Sequence, residues 1–404
     1  MNPKSSYISL SLSILTILFP VLSFFFNVFY YLINNRISLQ SRVIIYFNVC
    51  LAMAMVAFLY YRVGDSGDVV RYALSLEYYK SSLNNGRLFP VENLYEMMYP
   101  FWYSIFYFLS KFDFSVQALN FFSAFTIYGA YFFIIHQFDK ELNHPNASKS
   151  IFIKVFFLIS FVAIFSGYKT LWAFSLVSVG IVLFFRSKFF GVLFFALGAG
   201  IHPVAYVPIL AFFISRIFDF KLKYLLVSLL VGILLKQVAF IFSYLTFIPF
   251  LSGKIQTYIY GDWSVYRFHD SGEYIRFLIM LLICLFIFLL SFFHKGKFSF
   301  DRTELFGFYN NFAFWYFCLA ITFIDFRTIA GRLIIDGSIF FIPLFYQAYA
   351  NGVLYRKRVV SILLSVIWLG MIDVRTFNYA NESFIVGDGF PYNLLYSPLL
   401  EFIK

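Results

Sequence analysis

Charge is what this sequence has least of. Of its 404 residues only 13% are Asp, Glu, Lys or Arg, against about 25% in an ordinary soluble domain. No long hydrophilic stretch makes up the deficit, which excludes a separate water-soluble domain. Cysteine is almost missing too. Cys50, Cys284 and Cys318 lie singly inside apolar runs, so neither a disulfide framework nor a thiolate metal site is expected. There is no P-loop, no HExxH, no nucleophile elbow and no His/Cys/Asp spacing of a metal site. The expectation is therefore chemistry without metal or cofactor. Internal repeats and low-complexity linkers are absent as well.

What is present is apolar surface. Hydrophobic residues make up 61% of the chain, with 61 Phe and 31 Tyr. AT-rich codons explain much of that aromatic excess, and packing uses it. The net charge of +11 could suggest nucleic acid. The Lys and Arg residues instead sit in short loops between apolar runs, a pattern of membrane topology that carries no sign of a polyanionic partner.

A membrane span needs about 20 apolar residues. Runs at 7–33, 43–61, 116–138, 151–167, 170–186, 222–248, 275–294, 305–324, 330–350 and 359–373 qualify. Residues 7–33 are long and lack a basic leader, so they are expected to act as a span rather than as a cleaved signal. The expected fold is all-α: one polytopic domain over 1–404 with about twelve transmembrane helices in one bundle. Its extracytoplasmic segments would be 62–115, 249–274, 325–329 and 374–404.

Two stretches leave two topologies open. Residues 97–111 are short and contain Pro100, and 189–215 are interrupted at His202-Pro203. In the first topology 97–111 dips into the outer leaflet, and 189–201 and 203–216 form two short spans. In the second, 97–111 crosses and 189–215 is one broken span. The first puts Lys140, Lys149, Arg186 and Lys188 inside and Lys111 and Lys169 outside, on the side away from Arg36 and Arg42. The second reverses this, so the positive-inside rule selects the first.

The outer face then collects most polar groups. The first loop brings Arg62, Asp65, Asp68, Arg71 and Tyr72, and a later one brings Arg267. Asp68 and Tyr72 are four apart; Asp68 reads as a helix cap that also displays a carboxylate. His202 precedes Pro203 at a helix break. It is either a packed histidine or a base at a cavity wall. Arg332 lies inside an apolar run with Asp336 at i+4. That is either a structural pair or an anion site whose Asp orients the Arg. Arg327 could reach the same cavity if a helix begins between the two arginines. Paired guanidinium groups suit a diphosphate.

These residues resemble a known family. Arg62, then Gly67-Asp68 and Tyr72, resemble the early loop of Wzy-type polysaccharide polymerases of the EpsG-like group. Glu96-Met97-Met98-Tyr99 resembles that group's E-P-G-Y stretch, without its Pro and Gly. Gly167-Tyr168-Lys169-Thr170-Leu171-Trp172-Ala173 stands where the group has R-x-x-L-A. Leu197 to Pro203 resembles its small-residue run into His, and Arg332 its late Arg span. The likeness runs from about residue 45 to 350.

The resemblance implies a multi-pass enzyme of the bacterial inner membrane. Such an enzyme polymerises undecaprenyl-diphosphate-linked oligosaccharide repeat units into O-antigen, capsule or exopolysaccharide outside the cytoplasm. It implies membrane lipid around the chain, and a chain-length regulator and a flippase as pathway partners. His202 and Asp68 would be catalytic. Arg62, Arg71, Tyr72, Lys169, Arg267, Arg327 and Arg332 would bind substrate and diphosphate. A flippase for the same lipid-linked unit also needs cavity arginines, and a ligase-like glycosyltransferase would use similar chemistry.

Overall fold

A computed structural model describes residues 3–34, 37–61, 68–86, 99–142, 145–159, 164, 168–243, 271–293, 305–350 and 385–386. Among them the chain is almost wholly helical. Four helical stretches are long and apolar enough to cross a membrane: Leu39–Phe58, Val116–Leu142, Lys169–Arg186 and Thr328–Tyr346. The chain divides into two compact units. One comprises Met1–Ser175 with Ser365–Lys404, the other Leu176–Leu364.

The first unit opens with a correction to the sequence reading. Residues 7–33 do not form one span. They form α1 (Pro3–Leu18) and α2 (Pro20–Ile33), with Pro20 at the first position of α2. The Ser23 hydroxyl lies 3.2 Å from the Leu12 carbonyl, eleven residues earlier. A straight helix would separate them by about 16 Å, so the chain folds back at Phe19-Pro20. Thr16 donates to the same carbonyl at 2.8 Å and lies 2.5 Å from the Ser23 hydroxyl. Asn27 donates to the Ser23 carbonyl at 2.8 Å, and Asn48, on α3 (Leu39–Phe58), donates to Asn27 at 3.2 Å. Buried amides and hydroxyls thus join three apolar helices where lipid-like side chains give little specificity.

Helix α3 packs on α6 (Val116–Leu142) through aromatic rings. Tyr46 stacks on Phe132 at 5.2 Å, and Phe152 of α7 (Pro145–Leu158) lies 5.0 Å from Phe132 and 4.7 Å from Tyr31. At one end of this layer the buried Asp139 carboxylate pairs with Arg42 and accepts from Ser148 at 2.5 Å. Lys149 donates to the carbonyls of Leu32 and Asn34 at 3.0 and 2.7 Å, closing the C-terminus of α2. Burial first, then the nearby Arg42, hold the Lys149 ammonium below its usual range. Asp139, Ser148 and Lys149 therefore share an end with Arg42.

Helix α7 stops at Leu158, short of the expected 167. The Ser123 hydroxyl of α6 donates to the Ile164 carbonyl at 2.8 Å. Ser123 stands about 24 Å along α6 from Asp139. The start of α8 (Tyr168–Arg186) accordingly lies toward the end opposite Arg42. This arrangement agrees with the first topology and not with the second.

Between α3 and α6 come α4 (Asp68–Asn84) and α5 (Pro100–Lys111). With 12 residues α5 is about 18 Å long, too short for a hydrocarbon core of roughly 30 Å. It ends in a Schellman cap. Phe114 N–H donates to Leu109 and Asp113 N–H to Ser110, with Asp113 at φ 58°. Tyr72, Leu76 and Tyr79 form the buried face of α4, and Trp102, Phe106 and Leu109 that of α5. The two faces meet, and Ser110 donates to the Leu76 carbonyl at 3.2 Å. A short antiparallel pairing of Tyr60–Tyr61 (β1) with Ile385–Val386 (β2) completes the unit.

The second unit holds α9 (Lys188–Ile201), α10 (Tyr206–Ile217), α11 (Lys223–Ser243), α12 (Ser271–Phe293), α13 (Leu305–Thr322), α14 (Arg327–Ile334) and α15 (Ile342–Ala350). Helix α13 is buried along nearly its whole length, as expected of a helix that is apolar all round. Helices α9 and α10 fold back at His202. The Phe195 and Phe212 rings lie 4.9 Å apart, whereas one straight helix would separate them by about 25 Å. The 189–216 region is thus a hairpin, again as in the first topology. Asn311 of α13 holds the turn after α10, donating to Ser215 and Phe218 carbonyls and accepting from Phe220 N–H at 2.9 Å. Residues 359–373, one of the expected spans, lie outside the described residues.

The Arg42–Asp139 pair generates a test. Arg42→Ala should lower stability by about 3–5 kcal/mol, because it leaves a buried charge without its partner. The double variant Arg42→Ala/Asp139→Ala should recover much of that loss. Thermal unfolding of the purified protein checks both, and equal loss in the single and double variants would deny the pair its role.

Candidate functional site

The site that the structure builds most fully lies at the start of α8. Lys169 is the second residue of that helix. A cation there opposes the helix dipole by about 0.3–1 kcal/mol. Aromatic faces offset this. The Lys169 ammonium lies 5.1 Å from the ring centre of Tyr72, 5.6 Å from that of Tyr99 and 4.6 Å from that of Trp102. A desolvated cation gains up to about 2 kcal/mol from such a face.

The rings are fixed by their own packing. Tyr72 meets Trp102 edge-on at 5.1 Å, and Trp102 meets Phe106 at 5.2 Å and Trp172 at 6.2 Å. Tyr72, Tyr99 and Trp102 are 6%, 4% and 1% exposed. Rings so deeply buried are not free to stack on a ligand; they hold the lysine. Lys169 itself is half-buried. The result is a fixed cation at a helix N-terminus, an arrangement that suits an anion.

Two residues singled out by sequence, Tyr72 and Lys169, therefore meet. Asp68 is the first residue of α4, one turn before Tyr72. Arg71 is on the exposed side of the same helix. Arg62 and Arg267 lie outside the described residues. Trp102 was missed. Its signal was the spacing Tyr99, Trp102, Phe106, which marks one face of a helix.

His202 stands at the tip of the α9–α10 hairpin with extended backbone, φ −152° and ψ 129°. Its Nδ1 accepts from Val204 N–H at 3.2 Å and caps the 3-10 turn Pro203–Ala205. An accepting Nδ1 puts the proton of a neutral imidazole on Nε2. In this state Nε2 donates, and accepting a proton at Nδ1 would break the cap. The geometry therefore favours capping over the base role expected from sequence.

The Arg332 region also differs from expectation. Helix α14 ends at Ile334, and Asp336 opens a 3-10 segment, Asp336–Phe341. Arg332 and Asp336 thus stand on either side of a change from α-helix to 3-10 helix. Helix α14 begins at Arg327 itself, so the two arginines are about 140° apart around its axis. The condition for their convergence, a helix starting between them, is not met. At the break the Tyr316 hydroxyl donates to the Leu333 carbonyl at 2.7 Å. Gly337 makes room for it, since a Cβ there would fall on that hydroxyl. Asp336 is buried and Arg332 half-buried.

Among the described residues no cluster of three or more His, Cys, Asp or Glu could hold a metal ion. No family model, curated protein or solved structure matches this chain.

The cap generates its own test. His202→Ala should cost about 1 kcal/mol, while His202→Asn, whose amide oxygen can also cap, should restore most of it. Thermal unfolding of the two variants measures this. Equal loss in both would show that capping is not what the residue contributes.

Proposed function

We propose that this chain is a glycosyltransferase of the bacterial inner membrane. It would polymerise undecaprenyl-diphosphate-linked oligosaccharide units into a surface polysaccharide on the extracytoplasmic side. One observation carries the reading. Tyr72, Tyr99 and Lys169 belong to three separate stretches that resemble the Wzy-type polymerases, and they converge around one ammonium group. The multi-pass bundle of about twelve spans belongs to the same proposal.

The chemistry asks little more. The donor carries its own leaving group, a lipid diphosphate. The acceptor hydroxyl attacks the anomeric carbon of the growing chain, the bond to the diphosphate breaks, and a base takes the hydroxyl proton. Lys169, fixed before the reaction, would stabilise charge on the departing diphosphate. With the Nδ1 of His202 engaged, Asp68 becomes the first candidate for the base, one helical turn from Tyr72. Arg71, on the same helix, would add to the positive field. Arg332 remains a diphosphate ligand in this proposal, as do Arg62, Arg267 and Arg327.

Loss of a polymerase has its own signature. Deleting the gene should leave single repeat units on the surface acceptor, seen as one band where the parent strain gives a ladder on a gel. Complete absence of repeat units would point to a flippase or a ligase, and an unchanged ladder would remove the chain from the pathway.

A further inference from the structure

The basic end of the second unit is not used by the proposed chemistry. Residues 186–188 and 216–223 supply Arg186, Lys188, Arg216, Lys221 and Lys223 against one carboxylate, Asp219. The fold brings Arg216 to the end of α8. The Arg216 guanidinium lies 5.8 Å from the ring centre of Phe184, half a turn before Arg186, and 5.7 Å from that of Phe308. Arg186 ends a stretch apolar enough to span a membrane, so this end stands at a membrane border.

The loop is built rather than merely solvated. Asn311 binds both sides of it, and Trp315 Nε1 donates to the Phe218 carbonyl at 3.0 Å. Phe220 is buried among Phe288, Phe314 and Trp315. With Phe220 pinned inward, Asp219 and Lys221 on either side are left exposed. Directly beside these charges, Phe189, Phe213, Ile217 and Phe218 are 71%, 51%, 69% and 52% exposed. Cations at a membrane border above bare aromatic surface match the two halves of a phospholipid.

We propose that this end of the second unit is a binding site for an anionic phospholipid, with the phosphate on Arg216 and Lys221 and the acyl chains along Phe213, Ile217 and Phe218. Arg216 is the main contact. Its fork is steadied from behind by two rings and can bind phosphate bidentately. Zwitterionic lipids offer the same phosphate, but their ammonium groups would face an excess of cations. A net negative headgroup is therefore selected. The proposal rests on the membrane reading alone and is independent of the polymerase reading.

Trp315 sits against the site and reports on it. The full chain would be reconstituted in phosphatidylcholine vesicles doped with brominated phosphatidylglycerol or brominated phosphatidylcholine. The Trp315 signal is the emission lost in Trp315→Phe. Brominated phosphatidylglycerol should quench it at far lower content than brominated phosphatidylcholine. Arg216→Gln with Lys221→Gln should weaken the preference about twenty-five-fold, about fivefold for each cation removed. In the wild-type protein the preference should also vanish when salt shortens the Debye length to about 3 Å, a measurement that needs no variant to fold. Equal quenching by both lipids would overturn the proposal. So would a preference that survives high salt, or displacement by inorganic phosphate as effective as by the lipid.

Discussion

Wherever a helix ends in apolar surroundings, its backbone carbonyls and N–H groups need a partner, and the rest of this structure is arranged around that need. An unpaired buried group costs several kcal/mol where water cannot reach it. Several of the described breaks have a side chain committed to them. Ser23 bonds across the break at Pro20 to the Leu12 carbonyl, Lys149 serves the end of α2, and Ser123 the carbonyl of Ile164. In the second unit His202 caps its own turn, Asn311 holds the turn after α10, and Tyr316 serves the end of α14. Polar residues in a chain this poor in charge are thus largely spoken for. Lys169 is held in another way, on aromatic faces at a helix start.

This constraint explains what could be read from sequence and what could not. Spans at 43–61, 116–138 and 170–186 were legible because their apolar runs are long and unbroken. Pro100 and His202-Pro203 were legible as breaks because Pro lacks a donor and disfavours helix before it. Pro20 obeys the same rule, but its flanks are so uniformly apolar that the run passed for one span. The count of Lys and Arg residues selected a topology, and Lys149 bonded to Leu32 and Asn34 agrees with it.

Side-chain convergence was harder to foresee. Tyr72 and Lys169 are separated by nearly a hundred residues, and nothing local says that they touch. Trp102 is visible only as part of a helix face. Around Arg332 and Asp336 it was the local backbone that sequence did not show. Spacing alone implied one regular helix, and the change from α-helix to 3-10 helix at Ile335, beside Gly337 and Tyr316, was not visible in it. The break at His202 was foreseen, whereas the bond from Val204 N–H that occupies its Nδ1 was not.

The caged lysine also bears on the departure from the R-x-x-L-A pattern. A lysine cannot form the bidentate fork of an arginine. Held over three rings it gains fixed position instead, and a positioned cation is what a developing diphosphate charge requires. The central claim is therefore that Lys169 acts on the substrate and that its rings serve to place it. The most direct measurement is polymer formation in proteoliposomes by purified wild-type and Lys169→Met protein on the same lipid-linked repeat unit. The account predicts normal membrane insertion and helicity with polymer formation slowed by about a hundredfold or more. A wild-type ladder from Lys169→Met at equal protein level would contradict it.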